Sequence, residues 1–250
     1  MALSWKELPK PAVIAHRGAS AYEPENTLAA FNLAVRQHAD AVELDAKLTA
    51  DGRVVVMHDN SIDRTTNGHG LVREHTWEEL SKFYSGRPAP DTHIPLLAEV
   101  LEAVTPYLVV NIELTNYATP FDNLPQRVAA LVRKLGVAER VWVSSFNPVA
   151  IYRFAAAMPE IPAGLLLKSH PRLIYPLRGL IPHRAIHPHF SFVTPRRVEK
   201  WHRAGKRVFV YTVNEPEEMR RLFRIGVDGI FTDDPILAQK VRSEVKATPR

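Results

Sequence analysis

Short apolar runs recur along this chain, separated by longer amphipathic segments, and nearly every run ends on a polar residue. The runs at 12–15, 41–45, 108–113, 141–145, 163–167, 184–187, 208–213 and 229–232 are rich in β-branched residues and largely uninterrupted. That pattern predicts strands buried on both faces, since a strand with one wet side would alternate apolar and polar positions. Helix-period segments stand between them at 27–38, 96–105, 124–135, 148–158, 195–204, 216–225 and 235–241. Asn26 or Thr27 is placed to cap the first helix, because a side-chain oxygen there can accept from an otherwise unpaired backbone N–H. Pro148, Pro216 and Pro235 follow Asn147, Glu215 and Asp234, each at the first-turn position where a missing N–H costs nothing. The stretch 171–180 has flanking prolines and a weak helical period, and its type stays ambiguous.

Eight strands alternating with helices predict an α/β fold, a parallel (β/α)₈ barrel. A ninth strand-like run, 53–57, follows Asp51-Gly52, a strong hairpin signal. Residues 46–58 therefore read as a hairpin that rises above the second strand and returns His58 to the barrel mouth. Residues 60–93, dense in turn formers, read as a small insertion over that mouth. No repeat, linker or low-complexity run divides the chain, which predicts one domain over residues 1–250. That length suits such a barrel.

Composition narrows the function by exclusion. With no cysteine, the chain has no disulfide, thiolate nucleophile or Cys-type zinc site. The net charge of +5 is scattered, which suits an anionic small molecule and gives no basic patch for nucleic acid. Residues 1–11 lack the apolar core of a signal peptide, and no run reaches membrane-spanning length. A cytoplasmic protein without an integral membrane segment is expected; the oligomeric state is left open.

Chemistry in a parallel barrel gathers at the carboxyl ends of its strands. The polar residues at those ends are His16 and Arg17, Glu43 and Asp45, Glu113, Ser144 and Ser145, His187, Thr212 and Asn214, and Thr232 to Asp234. His58-Asp59 joins them through the hairpin. Glu43 and Asp45 stand two apart on one strand and so share a face, a spacing that lets them share one hard cation. A phosphodiester needs its charge neutralised, a proton taken from the nucleophile and a proton given to the leaving alcohol. Two histidines, an arginine and a carboxylate-bound cation meet those needs. His183, His187 and His189 have no carboxylate or cysteine at ligand spacing and read as loop and pocket-wall residues.

The same residues carry a family resemblance. His16-Arg17-Gly18-Ala19-Ser20, Pro24-Glu25-Asn26-Thr27, Val42-Glu43-Leu44-Asp45, Val56-Met57-His58-Asp59, Asp63 to Gly68, Asn111-Ile112-Glu113, Tyr211 to Asn214 and Gly226 to Ile230 resemble the glycerophosphodiester phosphodiesterase family in order and spacing. The resemblance implies a barrel with a small insertion. It also implies a divalent cation, Mg²⁺ or Ca²⁺, and hydrolysis of small-molecule glycerophosphodiesters to sn-glycerol 3-phosphate and an alcohol. By position it implies Glu43, Asp45 and Glu113 as metal ligands, His16 and His58 as the catalytic pair, and Arg17 as a phosphate contact. Phe146 and Tyr211 are expected to line the substrate. His16 is taken as the base and His58 as the acid, with the reverse left open.

Two positions depart from the family pattern. Where a phosphate-contacting lysine is usual, two residues after the third carboxylate, this chain has Thr115, and Lys47 or another basic residue would have to compensate. Tyr211 stands where tryptophan is common and keeps an aromatic wall. The readings to be distinguished are therefore three. They are a phosphodiesterase of water-soluble diesters, a lysophospholipase D-type enzyme using the apolar stretch 173–181, and a barrel that binds phosphate esters without turnover. A histidine-ligated amidohydrolase is a weaker rival, because residue 14 is Ile where a His-x-His pair would need histidine.

Overall fold

The computed structural model describes residues 3–168 and 181–247. The ambiguous stretch 171–180 and most of the apolar stretch 173–181 lie outside the described residues. Nine strands form one sheet: β1 (Ala12–His16), β2 (Ala41–Leu48), β3 (Val54–Val56), β4 (Val109–Leu114), β5 (Val141–Ser145), β6 (Ala163–Leu167), β7 (Ala185–Pro188), β8 (Arg207–Val210) and β9 (Gly229–Thr232). All neighbours pair in parallel except β3, which runs antiparallel to β2. β1 pairs with both β2 and β9, so eight parallel strands close into a barrel and β3 stands outside the ring as the return arm of a hairpin.

Eight α-helices are described: α1 (Leu28–Arg36), α2 (Trp77–Leu80), α3 (Leu97–Val104), α4 (Leu124–Leu135), α5 (Pro148–Ala157), α6 (Pro195–Arg203), α7 (Pro216–Arg224) and α8 (Pro235–Ala247). α2 belongs to the insertion between β3 and α3, and the others connect successive barrel strands or follow the last. α7 shows why they pack as they do: Met219, Leu222 and Phe223 recur at the helix period and are buried, while the charged residues of the segment take the outer face. Thr27 is the cap of α1, accepting a hydrogen bond from the Ala30 N–H at 3.3 Å.

Alternation along the strands sorts the barrel interior. Ala12, Ile14, Ala41, Val109, Trp142, Ala185, Phe209 and Phe231 form its apolar floor, closed below by Trp5 and Leu8. The residues two, four and six further along the same strand faces are polar: His16 after Ile14, Glu43, Asp45 and Lys47 after Ala41, Asn111 and Glu113 after Val109. Register then aligns them, with His16 opposite Glu43, Glu43 opposite Asn111, and Asp45 opposite Glu113. A one-residue slip of β2 would turn its carboxylates into the apolar layer under the helices.

Several element ends differ from the sequence pattern. β8 stops at Val210, and Tyr211 makes only an isolated bridge to His189. α8 runs to Ala247, beyond the expected 241, because its last turns are polar and exposed and carry little apolar signal. The insertion is more ordered than its turn-rich composition implied. It holds α2, and its Ile62, Val72 and Leu80 pack with Val55 and Met57 of the hairpin and with Ile94 into a small core.

Candidate active site

β1 ends in a tight turn that sets the first part of the site. Arg17 has φ +57° and Gly18 has φ +86°, left-handed conformations that glycine adopts freely and arginine does not. A Cβ on Gly18 would lie 2.6 Å from the Ala30 backbone carbon, so only glycine fits where this turn presses on α1. The turn directs the Arg17 N–H to Glu43 Oε2 at 3.0 Å and its guanidinium Nη1 to Glu25 Oε1 at 2.8 Å. Arg17 Nε lies 3.2 Å from Asp45 Oδ2 without hydrogen-bond alignment. Asn26 Nδ2 donates to that same oxygen, Asp45 Oδ2, 2.9 Å away.

Glu43, Asp45 and Glu113 each present a carboxylate oxygen, and the three oxygens lie within 4.8 Å of one another. Glu43 and Asp45 are buried, and Glu113 is partly accessible at the cavity wall. Burial raises the Glu43 carboxyl well above its usual range, and the Asp45 and Glu113 charges raise it further. Glu113 is pushed up to about 8, by burial first and the Asp45 charge second, against hydrogen bonding from Tyr117. Such crowding of hard oxygen donors fits a divalent cation, which would relieve both the burial cost and the mutual repulsion. Burial also works against the Arg17 charge, but the Asp45, Glu43 and Glu25 carboxylates outweigh it and raise the Arg17 pKa.

A stability consequence follows from Glu113. A carboxyl whose folded pKa lies above its unfolded value holds its proton more tightly in the native state, so stability is lost as pH rises between the two. Below about pH 6.5 this loss is offset by buried His187, whose pKa is driven down to about 3 and which therefore gains stability as pH rises to its unfolded value. In chelator the melting temperature is expected to fall between about pH 6.5 and about pH 8, and a divalent cation is expected to reduce that fall. Thermal scans across this range check it; a melting temperature that rises with pH in chelator contradicts the assignment.

Two histidines flank the carboxylates, each held the same way. His16 Nδ1 lies 2.7 Å from Asp233 Oδ1, and His58 Nδ1 lies 2.6 Å from Asp59 Oδ1. Asp233 is kept ionised by bonds from His16, Asn214 and Ser20, which overcome its burial. Asp59 is held at about 2: burial opposes this, but Arg64 and His58 prevail. An ionised carboxylate at Nδ1 places that ring nitrogen's proton on Nδ1 and leaves Nε2 as the exchanging atom. Arg64 also reaches Glu25, with Nη2 2.8 Å from Oε1, so the insertion is tied to the β1 turn through one carboxylate.

His16, Arg17, Glu43, Lys47, His58, Asn111, Glu113, Phe146 and Tyr211 all line one cavity of about 740 Å³. Phe146 and Tyr211 meet edge to face with centroids 5.8 Å apart, and Tyr117 packs on Phe146 at 5.7 Å. The cavity thus brings together His16, Arg17, Glu43, His58, Glu113, Phe146 and Tyr211, and Asp45 joins them through the acidic trio, whereas Ser144, Ser145 and Asn214 do not line it. The structure also places Tyr117, which the sequence reading did not single out, on Glu113, and makes Asp233 the partner of His16. Asp233 stood among the strand-end polar residues, but its pairing spans 217 positions and has no local signal. His187 is fully buried against Phe209 and Phe231, and burial drives its pKa down to about 3. His183 bonds the Ile181 carbonyl and His189 bonds Ser191, so the three histidines do not converge.

A closed parallel barrel that carries two carboxylate-anchored histidines and an arginine around an acidic trio is an arrangement suited to a hydrolase of phosphoric diesters. Residues 16–237 match the model of the Glycerophosphoryl diester phosphodiesterase family. A glycerophosphodiester phosphodiesterase of Caldanaerobacter subterraneus subsp. tengcongensis is 37% identical over 233 residues, covering 90% of this chain and 95% of its own length. One from Bacillus altitudinis is 37% identical over 246 residues, covering 94% and 99%. Among solved structures, an Oleispira antarctica phosphodiesterase in complex with the product sn-glycerol-3-phosphate superposes with a TM-score of 0.86 at 30% identity, covering 94% of this chain and 97% of that one. The chain belongs to the glycerophosphoryl diester phosphodiesterase family.

Proposed function

We propose that this protein hydrolyses water-soluble glycerophosphodiesters to sn-glycerol 3-phosphate and an alcohol, with His16 and His58 as the proton-transfer pair. The observation that carries the reading is the matched anchoring of the two histidines on Asp233 and Asp59, on one cavity with the acidic trio. The product-bound Oleispira antarctica relative supports the choice of substrate class.

Glu43, Asp45 and Glu113 would hold a divalent cation, Mg²⁺ or Ca²⁺; when bound, it supplies neutralisation of the phosphate charge. Arg17 adds a fixed guanidinium next to the same carboxylates and binds a phosphoryl oxygen. One histidine removes the proton from the attacking hydroxyl, either a water or the glycerol 2-hydroxyl, through Nε2. The other gives a proton to the departing alcohol oxygen. Attack by the 2-hydroxyl forms a cyclic 1,2-phosphate, which water then opens with the histidines in exchanged roles. Phe146, Tyr211 and Tyr117 form an apolar wall for the carbon skeleton. The barrel and its insertion act as one unit, because Arg64 from the insertion sets both Glu25 and Asp59.

Substrate profiling tests the reading. Release of sn-glycerol 3-phosphate is expected from glycerophosphocholine and glycerophosphoethanolamine, at rates well above any turnover of lysophosphatidylcholine. Faster turnover of the lysophospholipid would assign a lysophospholipase D activity instead, and binding of the diesters without release would make the barrel a binding protein.

A further inference from the structure

Lys47 is a buried ammonium inside the catalytic cavity with spare hydrogen-bonding capacity. It stands on the β2 face that carries Glu43 and Asp45, two residues beyond Asp45 and therefore nearer the mouth. Its side chain is 7% exposed. Nζ donates to the Thr115 carbonyl oxygen and to Thr115 Oγ1, both at 3.0 Å. The Thr115 hydroxyl gives its own proton to the Ala46 carbonyl at 2.7 Å, so Oγ1 is fixed as an acceptor and the ammonium is held in one orientation. An ammonium has three donors, and Thr115 takes two. Among the described residues no carboxylate lies within ion-pair distance of Nζ and no other acceptor takes the third.

Burial of this ammonium is unfavourable, and the Asp45, Glu113, Asp59 and Asp122 carboxylates answer it only from beyond ion-pair distance. The Arg17 guanidinium is bonded to Glu25 and lies beside Asp45, while its backbone N–H is the group that meets Glu43. A divalent cation and Arg17 would together bring three positive charges against the three carboxylates and the phosphodiester's own negative charge, so a further cation on the cavity adds to the neutralisation that these two begin. The other lysine on this cavity, Lys168, is exposed and rests over the Phe146 ring at 5.1 Å. Lys47 is the cation that is both buried and oriented.

We propose that Lys47 is a phosphate-binding residue: its ammonium, positioned by Thr115, donates its third N–H to a non-bridging oxygen of the substrate phosphoryl group. The proposal rests on the phosphodiesterase reading for the identity of the anion. It also gives Thr115 a definite task, as the neutral anchor that orients a charge supplied from the neighbouring strand.

The test uses K47Q and the double variant K47Q/T115K, with K47M as a second uncharged variant should K47Q fail to fold. Melting curves establish folding. Two readouts follow: kcat/KM on glycerophosphocholine, and affinity for sn-glycerol 3-phosphate by calorimetry. K47Q is expected to lose about 100-fold in kcat/KM, the scale of one preorganised donor to a developing oxyanion, and about 10-fold in affinity for sn-glycerol 3-phosphate. Moving the ammonium to position 115 in the double variant is expected to regain most of both. K47Q values within twofold of wild type overturn the proposal. So does lost activity with unchanged affinity and no rescue, which would mark Lys47 as structural. Should the wild type release no product, the phosphodiesterase reading fails. The affinity comparison then still decides whether Lys47 binds phosphate, and a wild type that also fails to bind overturns both.

Discussion

Replacing His16 or His58 with alanine is expected to lower kcat at least 100-fold and toward 10,000-fold, the range lost when a positioned acid or base is removed. Each ring is part of the cavity wall and carries no apolar packing core with it, so the folded state survives the change. The two losses are not expected to add. Once one proton transfer fails, the other group no longer acts in the same transition state, and the double variant should resemble the worse single one. Asn at Asp233 or Asp59 removes the negative charge at Nδ1 and leaves the imidazole present, so it should cost less than loss of the ring. Initial rates of sn-glycerol 3-phosphate release, with melting curves as the control for folding, check all five variants. A folded alanine variant with wild-type turnover removes that histidine from the mechanism.

Asp45→Asn carries the second large effect. Asp45 is buried, accepts from Asn26 and lies beside Arg17. Its carboxylate is one of three that converge. Removing one of three hard anionic ligands should weaken divalent-cation binding by more than the roughly 100-fold that follows loss of an outer partner. Turnover at low cation concentration should disappear with it, and recover in part at high concentration. Calorimetric titration with Mg²⁺ and Ca²⁺ measures the binding directly. Unchanged affinity in the variant would show that the trio is not the cation site.

The barrel was legible because its strands are buried on both faces and so stand out as short apolar runs, each ending where the polar layer begins. The hairpin was legible from Asp51-Gly52 alone; Gly52 takes φ +71° there, and β3 returns His58 to the cavity. Glu43, Asp45 and Glu113 could be named because carboxylates in apolar strands are costly, and the register of β2 on β4 brings them together. What the sequence hid was pairing across distance. His16 meets Asp233, Arg64 meets Glu25, and Lys47 meets Thr115 over 68 positions. None of these has a local pattern, since closure of the ring makes the neighbours. Tyr117 was hidden for another reason: an aromatic in a turn after a strand looks like an ordinary surface residue, and only its bond to Glu113 marks it.

The central claim is that this cavity cleaves a glycerophosphodiester with a divalent cation on its acidic trio. The most direct measurement is sn-glycerol 3-phosphate release from glycerophosphocholine by protein stripped with chelator, before and after Mg²⁺ or Ca²⁺ is restored. The account predicts no release in chelator and release on restoring one of the two ions. Equal release with and without chelator, or none with either ion from folded protein that binds them, would contradict it.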